Sequence, residues 1–111
     1  MSTNPKGFLA TGVAAGLKSS GLADLALIQN VGPLKSAAAV FTKNRVIAAP
    51  VVWSKQVIKD GQIEAVLLNS GGANACTGPE GFADTHKSAE ILSESLEISS
   101  SNTFICSTGL I

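Results

Sequence analysis

An apolar run, TFIC, leads into Ser107-Thr108-Gly109, two hydroxyls followed by a glycine. A strand ending this way presents backbone amides and a hydroxyl at a sheet edge, and the glycine removes the side chain that would block close approach. That arrangement suits a developing oxyanion. Ser-Thr-Gly is also a common turn, so spacing alone leaves both readings open. A second stretch, NSGGANACTG over residues 69–78, joins an apolar run to a helical pattern. Such loops can cradle anions, because unpaired amides point outward at a helix start. The G-x-x-x-x-G-K-S/T spacing of a P-loop and the G-x-G-x-x-G of a dinucleotide site are both missing, which favours a tight turn. In that turn Gly71 and Gly72 would supply positive φ and close backbone approach. Asn69 and Asn74 flank the glycines, and either could position a polar substrate or satisfy loop backbone groups.

His86, the single histidine, lies in the helical pattern with no Ser/His/Asp arrangement around it, so it receives no catalytic role. Cys76 and Cys106 form no C-x-x-C pair, and with one histidine they are too few ligands for zinc. Buried, reduced thiols are expected.

Positioning these residues falls to a series of short elements. GFLATGVAAGLKSSG suits a strand or extended segment ending in a Ser19-Ser20-Gly21 turn, DLALIQN a second strand closed by Gly32-Pro33, and SAAAVFTKNRV a third. Together they predict an antiparallel meander. AAPVVWSKQVIKDGQ is ambiguous between strand and short helix, and Pro50 argues against an uninterrupted helix through it. Residues 63–68 read as a buried strand running into the glycine-rich loop. Residues 77–96 read as the one long helix. Thr77 and Glu80 have capping-box spacing, Pro79 is tolerated in the first turn, and Phe82, Ala89, Leu92 and Leu96, with Thr85 or His86, form an apolar stripe. SNTFICSTG returns as a strand. The predicted fold is mixed α/β (α+β), mainly antiparallel strands with one long helix on the sheet.

The 111 residues suffice for one domain, which would bury roughly two-thirds of its unfolded surface. With 45% hydrophobic and 14% charged residues the chain is apolar for its size, so either its surface is bland or part of it awaits a partner. Eight basic and eight acidic residues without runs argue against nucleic acid and against an anionic membrane surface. Apolar runs are too short for a membrane span, and MSTNPKG lacks the order of a signal peptide, so a cytoplasmic protein is expected. Residues 1–6 read as a flexible start. The apolar Leu110 and Ile111 at the other end suggest a piece of a larger polypeptide.

GFLATGVAAGLKSSGLADLALI, AAAVFTKNRVIAAPV, LLNSGGANACTG and CSTGLI occur in an order that resembles the amino-terminal part of the ArgJ-type ornithine acetyltransferases, or bifunctional glutamate N-acetyltransferases, of arginine biosynthesis. The resemblance runs over residues 7–111 and implies an incomplete amino-terminal portion of an α chain, within an α-β-β-α layered fold of the DmpA/ArgJ kind. It implies a precursor that cuts itself before a threonine. The new amino-terminal threonine of the β chain takes the acetyl group from N2-acetylornithine and passes it to glutamate. Thr108 and Gly109 match the family's oxyanion hole, and NSGGANACTG its structural support. The resemblance further implies no metal or bound cofactor, acetyl-CoA as an alternative donor, an α2β2 heterotetramer, and no activity for these 111 residues without the nucleophile. Two other readings stand beside it: a non-catalytic binding or assembly module, and a fragment of a related amino-terminal-nucleophile amidohydrolase.

Overall fold

The computed structural model describes residues 5–111, so the first four residues of the expected flexible start lie outside it. Four strands form one sheet in the order β1 (Phe8–Val13), β2 (Leu25–Asn30), β3 (Ala65–Gly72) and β4 (Thr103–Leu110). β1 pairs antiparallel with β2, and β2 antiparallel with β3. β3 and β4 are parallel, and α2 lies in the long crossover that a parallel pair requires. The mixed α/β class with mainly antiparallel pairing is what the sequence predicts. The third strand of the expected meander is a different segment.

SAAAVFTKNRV forms no strand. Its one ladder contact is the isolated bridge Ser36–Gln62, flanked by Ala37 N–H donating to Gly61 O and Ile63 N–H to Lys35 O. Beyond it the chain crosses the surface, Val40 almost wholly exposed and Phe41 edge-on to Phe104 with ring centroids 6.5 Å apart. β3 takes the place beside β2 that this segment was expected to fill.

The ambiguous AAPVVWSKQVIKDGQ is helix α1 (Ala49–Val57) followed by a 3-10 turn, Ile58–Asp60. Pro50 starts this helix instead of breaking it, because a first-turn residue has no intrahelical acceptor for its N–H to lose. Helix α2 (Gly78–Leu96) matches the predicted long helix, without its expected cap and with Thr85 and Ala89 alone of its expected stripe fully buried. Thr77 has helical dihedrals and makes no side-chain cap; its hydroxyl donates to Asn74 Oδ1. The buried stripe is Gly81, Thr85, Ala89 and Ser93, small residues at four-residue steps, with Phe82, Leu92 and Leu96 at its margin.

Both helices pack on β4, and the core between them holds Trp53, Val57, Ile63, Ala89 and Ile105. Strand alternation puts Thr103, Ile105 and Ser107 on the helix-bearing face, and Phe104, Cys106 and Thr108 on the other. Buried polar atoms are paired. Trp53 Nε1–H donates to Thr103 O at 2.9 Å, Ser54 Oγ to Ile105 O at 3.3 Å, and Ser93 Oγ to Ala89 O at 2.6 Å.

Candidate functional site

The parallel register sets Asn69 opposite Ser107, Ser70 opposite Thr108 and Gly71 opposite Gly109. The two glycine-bearing stretches thus meet at one end of the sheet. NSGG, read as loop, is the last half of β3, and the connection to α2 begins only at Ala73. Gly71 has φ +128°, and a Cβ there would stand 3.0 Å from Leu17 O, so that glycine meets the expectation. Gly72 does not. Its φ is not in the left-handed region and a Cβ would enter open space.

Ser107 and Thr108 differ sharply despite their adjacency. Ser107 Oγ donates to Asn69 Oδ1 at 2.6 Å and accepts from Asn74 N–H at 2.9 Å. Asn74 carries the connection into α2: its Nδ2 donates to Gly81 O at 2.7 Å and to Thr85 Oγ1 at 2.9 Å. Gly81 is obligatory here, because a Cβ would collide with Thr77 Oγ1 and Asn74 Oδ1. Asn74 therefore bonds a backbone carbonyl near it, as the structural alternative left open by the sequence has it, whereas Asn69 accepts from the Ser107 side chain instead of a loop backbone group. Thr108, on the opposite face, is exposed, and its hydroxyl has no hydrogen-bond partner among the described residues. It lines a cavity of about 190 Å³ with Gly12, Asp24, Leu68 and Ser70.

Asp24 was not singled out by sequence reasoning. It is 4% exposed, and its carboxylate accepts from Ala15 N–H and Leu17 N–H, each at 2.6 Å, and from Lys18 N–H at 2.8 Å. Hydrogen bonds from the Ala15 and Lys18 amides hold its carboxyl below the ordinary range, opposed by desolvation and assisted by Leu17 N–H and the Lys18 charge. The loop gathered this way includes Leu17, whose carbonyl overlies Gly71. Asp24 O also accepts from Ser70 N–H at 2.8 Å. An aspartate just before an apolar strand, behind a glycine- and serine-rich loop, is the signal that could have found it.

His86 lies outside this end of the sheet, with its ring 4.9 Å from that of Trp53 and Nε2 3.5 Å from Glu90 Oε1. Neither cysteine is buried, contrary to expectation; both are free and exposed, because Cys76 occupies a left-handed turn (φ 58°) before α2 and Cys106 points off the helix-bearing face. Partial desolvation pushes the Cys106 thiol up. No cluster of three or more metal-ligating side chains occurs among the described residues, and no helix there is long and apolar enough to cross a membrane.

Comparison with known proteins gives consistent results. The profile of the ArgJ family matches residues 9–111. The arginine biosynthesis bifunctional protein ArgJ of Streptomyces coelicolor is 60% identical over 109 residues, covering 98% of this chain and 28% of that protein. The ArgJ protein of Mycobacterium tuberculosis H37Rv is 57% identical with the same coverage, so this chain spans little more than a quarter of the relatives it matches. Among solved structures, ornithine acetyltransferase from M. tuberculosis, complexed with ornithine, superposes with a TM-score of 0.95 at 57% identity, over 96% of this chain and 58% of that one. The Bacillus halodurans ArgJ protein superposes with a TM-score of 0.90 at 38% identity, over 96% of this chain and 55% of the other.

Proposed function

This chain belongs to the ArgJ family, and from that membership we propose that it is the amino-terminal portion of an arginine-biosynthetic acetyltransferase, contributing an oxyanion hole through Thr108 and Gly109. The reaction is acetyl transfer from N2-acetylornithine to glutamate. A threonine freed as an amino terminus by self-cleavage, and carried by the remainder of the polypeptide, attacks the acetyl carbonyl. The carbonyl π electrons move onto oxygen, where the Thr108 hydroxyl and the Gly109 N–H donate to the new oxyanion. Collapse of the tetrahedral intermediate breaks the carbon–nitrogen bond, the ornithine nitrogen takes up the proton given up by the threonine hydroxyl on attack, and acetyl-threonine remains. The glutamate amine then attacks the acetyl carbonyl through the same oxyanion geometry, the ester carbon–oxygen bond breaks, the threonine oxygen regains its proton from the amine, and N-acetylglutamate departs.

The observation supporting this role is the division of labour at the end of β4. Ser107 is engaged on the helix side, while Thr108 presents an unengaged hydroxyl on the other side, next to a glycine whose surroundings admit no side chain. A hydroxyl held by its neighbours yet free of partners can donate to charge that appears only during reaction. The chemistry calls for neither a metal nor a bound cofactor. Acetyl-CoA is a second acetyl donor, the remaining polypeptide is the obligate partner in an α2β2 assembly, and the setting is the cytoplasm.

The test is acetyl transfer by the full-length protein. Thr108→Ala should lower kcat roughly 10²- to 10³-fold, the cost of one oxyanion donor elsewhere, and Thr108→Ser should recover most of it. Residues 1–111 alone should show no turnover with acetylornithine and glutamate. Full activity of Thr108→Ala would overturn the oxyanion assignment.

A further inference from the structure

We propose that Ser107 is a positioning residue for the acetyl-transfer step, fixing Thr108 and Gly109 at the distance and orientation an oxyanion requires; this rests on the oxyanion assignment above. The hydroxyl of Ser107 joins three separate pieces of chain. It belongs to β4, donates to the side chain of Asn69 on β3, and accepts from the backbone N–H of Asn74 in the connection to α2. On the other side of the Thr108–Gly109 pair, Ala73 N–H donates to Leu110 O at 2.8 Å. The pair is therefore held from both flanks. Residues 73 and 74 supply both of those donors, so the clamp is one short piece of backbone gripping β4 before and after the oxyanion donors.

Asn74 is itself immobilised, by its bonds to Gly81 O and Thr85 Oγ1 on the buried stripe of α2. Ser107 is thus the point where the rigidity of the helix reaches the strand end. Without its hydroxyl, Asn69 Oδ1 and Asn74 N–H lose this partner, and the last residues of an edge strand can shift along or away from β3. A displacement of about 1 Å in a reacting constellation can cost on the order of 10²-fold in rate.

The experiment is a double-mutant cycle in the full-length enzyme. Ser107→Ala should lower kcat roughly 10- to 100-fold while changing KM by less than about threefold, and Ser107→Thr, which retains the hydroxyl, should recover most of that loss. Because Ser107 acts through Thr108, adding Ser107→Ala to Thr108→Ala should cost clearly less than the product of the two single losses. If Ser107→Ala does not assemble, Asn69→Ala removes the shorter of the two β3 contacts of that hydroxyl, leaving Gly72 O at 3.4 Å, and is read in the same cycle. Fully multiplicative losses, or a Ser107→Ala effect confined to thermal midpoint with kcat unchanged, would overturn the positioning role while leaving the oxyanion assignment intact. A fully active Thr108→Ala would instead remove the oxyanion assignment itself.

Discussion

Gly71 and Gly109 face each other across the parallel strands β3 and β4, both in the positive-φ region, at +128° and +132°. A Cβ on Gly109 would stand 2.6 Å from both the carbonyl carbon and the carbonyl oxygen of Gly71, which are backbone atoms and cannot swing aside. Gly109→Ala should therefore separate the strand ends, with a loss of about 2 kcal/mol or more from the strained φ and the overlap together. Gly72→Ala, one residue from Gly71, meets open space and should stay within about 0.5 kcal/mol of the parent. Urea unfolding of the two variants side by side checks the contrast. Equal midpoints would refute it.

Asp24 makes a pH-dependent contribution. Its folded carboxyl is depressed, so its stabilisation is fully present above the unfolded value near 3.8 and is lost as pH falls through the lower folded value. Asp24→Asn should reduce stability at pH 7, and the gap between variant and parent should narrow below about pH 4. The loop it gathers should also loosen, giving faster amide exchange at Ala15, Leu17 and Lys18. A gap of constant size from pH 7 to pH 3 would contradict the ionic origin of the effect.

Trp53→Phe keeps most of the core contact but removes the N–H that donates to Thr103 O. The stranded carbonyl belongs to a wholly buried residue, so the substitution should cost about 1–3 kcal/mol, most of it from the unsatisfied acceptor. Chemical denaturation measures it. A loss below a few tenths of a kcal/mol would mean another donor reaches that oxygen.

The Cys106 thiol should react slowly for an exposed cysteine. Partial desolvation raises it, so it carries less thiolate at a given pH than free cysteine does. Iodoacetamide at pH 7.5 should therefore label Cys106 more slowly than free cysteine, and an equal or faster rate would refute this. Mass spectrometry of the labelled peptides decides.

Most of this architecture is legible in the sequence because periodicity and turn residues report burial directly. DLALIQN, the apolar run from Ile63 and SNTFICSTG all become strands, and the long helix ends where its pattern ends. What misled was local chemistry with two possible partners. Thr77 has capping-box spacing, but its hydroxyl bonds the side chain of Asn74, three residues earlier, instead of a helix N–H. The expected stripe on α2 shares Thr85 and Ala89 with the buried one, but close approach to the sheet selects the small Gly81 and Ser93 where the pattern points to Phe82, Leu92 and Leu96. In SAAAVFTKNRV the apolar run suggested a strand, yet only Ser36 found a bridge partner. At the candidate site, Thr108 and Gly109 follow from motif order and Asp24 had a local signal in its place just before an apolar strand, whereas the grip of Ser107 depends on a contact between segments 38 residues apart that no local pattern encodes.

The pairing of β3 with β4 has a consequence for the order of events during folding. Asn69 and Ser107 are 38 residues apart, with the whole of α2 between them, so the entropy of closing that loop must be met before the two glycine-bearing ends can meet. The β1–β2 pair can form early from nearby residues. Thr108 and Gly109, the proposed oxyanion donors, acquire the surroundings described above only when β4 docks, so a partly folded chain holds Asn69, Asn74 and Ser107 without the hydrogen bonds that join them.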